Sequence, residues 1–247
     1  MLAATLISVA FGDDNAPSPG VLIEWLDADN DATGTPAPTL PQVITNPATP
    51  TPSATGDNGA RVSGFDYPIA GGCLPVSDNL IPGAPREYRD GVHEGVDFYD
   101  SDNCTPVGLD TEVLAAKAGE VVRADLAYED LTPEELQELD NRVAAGEGND
   151  PDLLDAFRGR QVWIEHDDGT ITRYCHLNGI ADGVTIGSRV DRGELIGFVG
   201  ESGAPESITE PGTQIHLHFE IRAGDAYLGD GLSPDEVRAV YEEAFSQ

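Results

Sequence analysis

Basic side chains are scarce in this sequence. Thirteen Lys and Arg stand against 45 Asp and Glu, for a formal net charge of −32 over 247 residues, and Lys117 is the single lysine. A field of that sign repels phosphates, which makes nucleic acid and anionic lipid poor partners and favours cationic ligands or plain solubility. The same arginine-for-lysine bias fits adaptation to high salt and a GC-rich coding sequence equally. Cysteine is nearly absent: Cys73, Cys104 and Cys175 show none of the paired spacings of thiolate metal sites. Cys73 and Cys104 suit a disulfide if the protein is exported, and suit two buried thiols as well, with Cys175 left unpaired. Long apolar runs are missing too. Met1 to Phe11 is apolar but shorter than the about 20 residues of a bilayer-spanning helix, so no stable membrane span is expected there. Without a basic start, that run fits either the tail of a signal peptide or a loosely packed terminus.

Several catalytic signatures are also lacking. Gly200-Glu201-Ser202-Gly203 has its second glycine one residue too early for a nucleophile elbow. No glycine-rich loop ends in Lys-Ser or Lys-Thr, which removes the phosphate cradle of nucleotide hydrolases. Lys117, between two alanines, lacks the flanking methionines of a biotin carrier and reads as an ordinary turn lysine.

What is present divides the chain into three parts. Residues 1–26 form an apolar-led N-terminal segment. Residues 27–63 are rich in Pro and Thr, as in Thr49-Pro50-Thr51-Pro52, a composition that stays extended and buries no core. Residues 64–247 carry the alternation and glycine turns of a mainly β domain. There, Val113–Ala116 and Glu120–Ala124 are expected to form a hairpin about Ala118-Gly119. Gln161–Glu165 and Thr170–Tyr174 flank Asp167-Asp168-Gly169, a strong hairpin signal. Gly187–Val190, Gly193–Gly200 and His216–Arg222 are further strands. A helical insertion occupies about 126–159, opened by Thr132-Pro133-Glu134-Glu135 and broken at Asn149-Asp150-Pro151. Ser233-Pro234-Asp235-Glu236 opens a C-terminal helix whose Val237, Val240, Tyr241 and Ala244 share a face.

The chemistry concentrates in four of the five histidines. His216-Leu217-His218 sits in an alternating run, and side chains at i and i+2 of a strand share a face, so two imidazoles aim at one place. His93-Glu94-Gly95-Val96-Asp97 offers an imidazole and a carboxylate four apart, and Tyr174-Cys175-His176-Leu177 adds another imidazole after a strand. A catalytic zinc site needs three protein ligands and one exchangeable position, plus groups that move a proton and hold an oxyanion. These residues supply that inventory, although 216 and 218 are not told apart by the pattern itself.

Taken in order, His93-Glu94-Gly95-Val96-Asp97, Arg173-Tyr174-Cys175-His176-Leu177, Val190-Asp191-Arg192-Gly193-Glu194-Leu195-Ile196-Gly197 and His216-Leu217-His218-Phe219-Glu220-Ile221-Arg222 resemble the LytM/lysostaphin-like zinc metalloendopeptidases. The resemblance runs over roughly residues 90–222. It implies an antiparallel β-sandwich of the duplicated hybrid motif with a narrow groove, to which this chain's own residues add the helical insertion and the C-terminal helix. It implies zinc (Zn2+) held by His93, Asp97 and His218, with His176 and His216 as the catalytic histidines. It further implies hydrolysis of peptidoglycan cross-links by zinc-activated water, in a secreted or cell-envelope setting. The alternative within the same resemblance is a non-catalytic regulator that activates a cell-wall amidase, but such forms lose zinc ligands and this chain keeps them.

Two departures from the resembling pattern stand out. The insertion replaces a short groove-lining loop, and Cys175 takes the place of a small residue, where a bystander thiol is expected. His166, at a hairpin end, is expected to be a surface or hydrogen-bonded residue outside the site. Glu94 reads as solvated, and Glu220 as a salt-bridge partner of Arg222 or Arg173, with support of His218 as its other role.

Overall fold

The computed structural model describes residues 62–246. The apolar segment 1–26 and nearly all of the Pro/Thr-rich stretch 27–63 lie outside the described residues.

Among the described residues two short strands come first, β1 (Pro85–Arg86) and β2 (Gly91–Val92), which pair antiparallel. Next come β3 (Val96–Phe98), β4 (Glu112–Leu114) and β5 (Gly119–Ala124). Helices α1 (Pro133–Arg142) and α2 (Pro151–Arg158) intervene before β6 (Val162–Glu165), β7 (Thr170–Cys175) and β8 (Leu177–Ile180). The chain continues through β9 (Arg189–Val190), β10 (Leu195–Val199), the single turn α3 (Glu206–Thr209), β11 (Leu217–Ala223), β12 (Ala226–Tyr227) and α4 (Pro234–Ala244). Strand order in the large antiparallel sheet is β12-β11-β7-β6-β5-β9, with β3 also paired to β11; a smaller sheet runs β4-β10-β8.

The two sheets share one core. Val113 from β4, Leu177 from β8 and Ile196 and Val199 from β10 pack with Val121, Ile164, Tyr174, Leu217, Phe219 and Ile221 of the large sheet. Each such side chain contributes about 1.5–3 kcal/mol on full burial. The C-terminal helix closes this core with Val237, Tyr241 and Ala244, started by a capping box at Ser233 and Glu236.

Two local expectations are corrected. The segments around 113–116 and 120–124 are not a hairpin: β4 pairs with β10, while β5 pairs with β6 and β9. Ala115 and Ala116 are both fully buried, so the chain crosses the core between sheets instead of turning at the surface. Gly119 then lies against β6 so closely that a β-carbon would collide with the Glu165 carbonyl. The helical segment also divides earlier than its composition suggests. After the capping box of Thr132 and Glu135, α1 ends at Arg142, and Gly146 at φ 88° turns the chain; only glycine adopts that conformation without strain. Asp150 caps the restart with its side chain accepting from the Asp152 N–H. Leu131, Leu139 and Leu153 form a second cluster with Val143, Ala156, Phe157 and Ile208.

Candidate metal centre

Strand β11 explains the site. Leu217, Phe219 and Ile221 enter the core, so the period of two turns His218, Glu220 and Arg222 to the opposite face. His216 precedes the strand and forms a bridge with Gly200. On one side β7 pairs Cys175 with His218; on the other, β3 pairs Asp97 with His218. Cross-strand partners stand close enough for their side chains to touch, which places the Asp97 carboxylate on the His218 ring.

His93 arrives from the His93–Asp97 segment, its N–H donating to the Ala84 carbonyl and its carbonyl accepting from Gly83. The close approach needs Gly95: a β-carbon there would stand 2.5 Å from the Phe219 carbonyl oxygen and 2.8 Å from the His218 ring. The result is a triangle of donor atoms. His93 Nε2 and His218 Nδ1 are 3.0 Å apart, His93 Nε2 and Asp97 Oδ1 3.0 Å, and His218 Nδ1 and Asp97 Oδ1 2.8 Å. All three residues are buried, and their donor atoms converge as a metal ion would require.

The outward nitrogens fix the tautomers. His93 Nδ1 is 3.2 Å from the Ile81 carbonyl oxygen, which can only accept, so Nδ1 carries the proton and Nε2 the lone pair. His218 Nε2 is 3.1 Å from Glu220 Oε1, leaving Nδ1 as its donor atom. Asp97 turns Oδ1 to the imidazoles and Oδ2 to Arg86, at 3.4 Å.

Two more imidazoles line the same place. His176 and His216 have ring centroids 4.5 Å apart, and His216 Nε2 is 3.8 Å from Asp97 Oδ1. Each donates its Nδ1–H to a main-chain carbonyl, His176 to Ser202 at 2.8 Å and His216 to Gln214 at 2.7 Å. His176 holds φ 59°, a left-handed conformation that costs a non-glycine residue about 1–3 kcal/mol. Its N–H donates to the Arg158 carbonyl at 2.9 Å. Tyr99 stacks on His216 at 4.4 Å and 8°, with its hydroxyl donating to Gln214 Oε1.

Burial dominates the electrostatics. It pulls the His93 imidazole down to about 4 despite Asp97, and holds His176 well below and His216 below the ordinary range. His218 is buried as well, yet the carboxylates of Asp97 and Glu220 beside its two nitrogens favour the charged ring, outweigh burial and raise its pKa. Burial pushes against Asp97, but His93 and His218 hold it well below the carboxylate range.

All five residues singled out in the sequence, His93, Asp97, His176, His216 and His218, therefore meet in one place. His166 lies elsewhere, buried, its nitrogens on the Ala118 carbonyl and the Thr172 hydroxyl. Cys175 is buried and unpaired, with burial pushing its thiol up. Cys73 and Cys104 form a disulfide. Glu94 is half-buried and ion-paired instead of freely solvated: Arg158 and Arg222 hold it at 2.6 and 2.9 Å. Glu220 fills both of its expected roles, meeting Arg222 and Arg173 as well as His218, and gains Arg158 besides. Arg86, Tyr99, Gln214 and Arg158 are not marked by the sequence, since nothing in the pattern of an isolated Arg, Tyr or Gln identifies its partner.

Among solved structures the chain is similar to a zinc-containing peptidase from Vibrio cholerae, at 24% identity over 66% of this chain and 38% of that one, TM-score 0.41. It is also similar to a point mutant of the catalytic domain of the prophage-encoded M23 protein EnpA from Enterococcus faecalis, at 19% identity over 72% of this chain and 97% of that one, TM-score 0.41. The catalytic domain of lysostaphin from Staphylococcus simulans matches at 21% identity over 70% of this chain and 83% of that one, TM-score 0.32. The chain thus spans well under half of the Vibrio cholerae protein, 38% of its length. No curated protein sequence matches. The model of Peptidase family M23 matches residues 140–229, a stretch that contains His176, His216 and His218, with His93 and Asp97 upstream of it. That match covers the strands that carry three of the five converging side chains and is the family likeness this chain shows, to Peptidase family M23.

Proposed function

We propose that the protein is a zinc metalloendopeptidase of the cell envelope that hydrolyses peptide cross-links of bacterial peptidoglycan, with His93, Asp97 and His218 as metal ligands. The observation that carries this reading is the donor triangle, with edges of 2.8 to 3.0 Å. Zinc holds nitrogen and oxygen at about 2.0–2.2 Å, which sets tetrahedral ligands about 3.3–3.6 Å apart, so a spread of about half an ångström fits the triangle to the ion. Two imidazoles and a carboxylate, each outer nitrogen already spent on an oxygen acceptor, match the chemistry of such a site. Three ligands leave a fourth position open. When bound, the ion would polarise a scissile carbonyl and lower the pKa of a water in that position.

The rest falls to the chain's own side chains. His176 and His216 spend their Nδ1–H on carbonyls and turn Nε2 to the site. Burial keeps both neutral, so each Nε2 is free to take the proton of the attacking water; once protonated it donates to the developing oxyanion and to the leaving amine. Tyr99, stacked on His216, prevents that ring from turning away. The Cys73–Cys104 disulfide supports an oxidising, extracytoplasmic setting. Among the described residues no helix is long and apolar enough to cross a membrane.

A zymogram on purified sacculi tests the reading. Clearing by the purified protein that stops with a chelator and returns with zinc is expected. Clearing only when a cell-wall amidase is added would replace it with the regulator reading, and purified protein without stoichiometric zinc would end the metal assignment.

A further inference from the structure

Arg158, the last residue of α2, touches both halves of the site. Its guanidinium donates from Nε to Glu220 Oε1 at 2.7 Å and from Nη2 to Glu94 Oε2 at 2.6 Å. Glu220 Oε1 is the same atom that holds His218 Nε2, at 3.1 Å. Arg222 and Arg173 reach only the other oxygen, Oε2. Glu94 adjoins His93 in the chain. Thus one planar fork, suited to gripping carboxylates in a fixed orientation, connects the carboxylate that supports His218 to the residue next to His93 in the chain. The main chain of the same residue reaches the other half: its carbonyl accepts the N–H of His176 at 2.9 Å, in the left-handed conformation described above. Gly159 follows at φ 65° and packs so tightly on the Ser202 carbonyl that a β-carbon would collide with it. That carbonyl is the acceptor of His176 Nδ1–H.

The segment between β5 and β6 is itself held from two directions. Leu153 and Phe157 pack with Ile208 of α3, in the stretch leading to His216. On the other side Arg89 donates to the Gly148 carbonyl and to Asn149 Oδ1, and to the Val92 carbonyl just before His93. Arg158 is therefore fixed at its base before it grips anything.

We propose that Arg158 is a positioning residue of the metal centre, and that through it the helical segment is a working part of the site: it locks the Glu220 carboxylate that orients His218, and it anchors the turn that presents His176. This rests on the zinc reading above. Oriented acceptors behind metal-bound histidines are worth about 10–100-fold in metal affinity.

The test measures zinc dissociation constants by chelator competition for the wild type, Arg158→Ala and Arg158→Lys, beside the melting temperature of the metal-free proteins and kcat and KM on sacculi at saturating zinc. Arg158→Ala should bind zinc about 10–100-fold more weakly, with kcat reduced and KM within about twofold. Arg158→Lys keeps the charge but reaches one carboxylate at a time, and should lose roughly threefold or more. If Arg158→Ala does not fold, the lysine variant decides. Variants that bind zinc within about twofold of the wild type, whatever their melting temperature, overturn the proposal and leave Arg158 a structural ion pair. A wild type that binds no zinc ends the metal reading itself, which is a different result from a wild type that binds and variants that match it.

Discussion

The β6–β7 hairpin carries an imidazole at each end, and the two differ in one atom. His166, at the turn, is buried with Nδ1 3.0 Å from the Ala118 carbonyl oxygen and Nε2 3.0 Å from the Thr172 hydroxyl, its ring edge-on to Phe65. His176, at the open end, ties Nδ1 to Ser202 and turns Nε2 toward His216 and His218. Burial lowers the pKa of both. Burial and a shifted pKa therefore do not separate a structural histidine from one placed in the candidate site. The distinction is the nitrogen that the protein leaves unspent, beside other imidazoles and a carboxylate.

Substitutions can break that comparison in descending order of effect. On the proposed function, His218→Ala removes a corner of the donor triangle and is expected to abolish both stoichiometric zinc, by elemental analysis, and sacculus hydrolysis. His176→Ala should lower kcat by about 10²–10⁴-fold, the usual worth of a positioned proton-transfer group, while zinc content stays at the wild-type value; loss of zinc as well would make His176 a ligand. His166→Ala should do the reverse. It leaves the buried Ala118 carbonyl and Thr172 hydroxyl without their imidazole partner, at a cost of about 1–3 kcal/mol in urea unfolding, and the folded protein is expected to keep the wild-type kcat. A folded His166→Ala protein without activity would erase the contrast.

The smallest effect lies at the turn beside His166. Partial burial works against ionisation of Asp168, but Lys117 at 2.5 Å and Thr170 hold its carboxyl at about 2 against an ordinary 3.8. A depressed carboxylate stabilises the fold fully above its unfolded pKa and loses that contribution as pH falls through the folded value. The melting-temperature advantage of the wild type over Asp168→Asn should be constant near pH 6 and shrink between pH 3.8 and 2. An advantage that does not change with pH would mean that Asp168 acts through its turn hydrogen bonds to Thr170 alone.

Part of this is legible from residue order. The alternation of His216, His218, Glu220 and Arg222 against Leu217, Phe219 and Ile221 gives the two faces of β11, because a strand has a period of two. Thr132 and Ser233 announce their helices, because a capping box is local chemistry. Asp167-Asp168-Gly169 announces its hairpin for the same reason. Local signals fail where a partner lies far along the chain. Strand β4 reads as half of a hairpin with β5, but its partner β10 stands far downstream, beyond five intervening strands, and no turn signal marks that choice. Glu94 reads as solvated because Arg158 and Arg222 are distant in sequence.

The sequence by itself determined which side chains could do the chemistry and which of them share a strand face, since both follow from residue type and local periodicity. Only the tertiary structure decided what each nitrogen and each carboxylate is tied to. Long-range strand pairing set Asp97 beside His218, a missing β-carbon at Gly95 let His93 reach both, and a helix end carried Arg158 beneath Glu220. Those contacts join residues up to 125 positions apart, as in His93 and His218. At such separations packing of the whole core, and no local propensity, fixes the geometry.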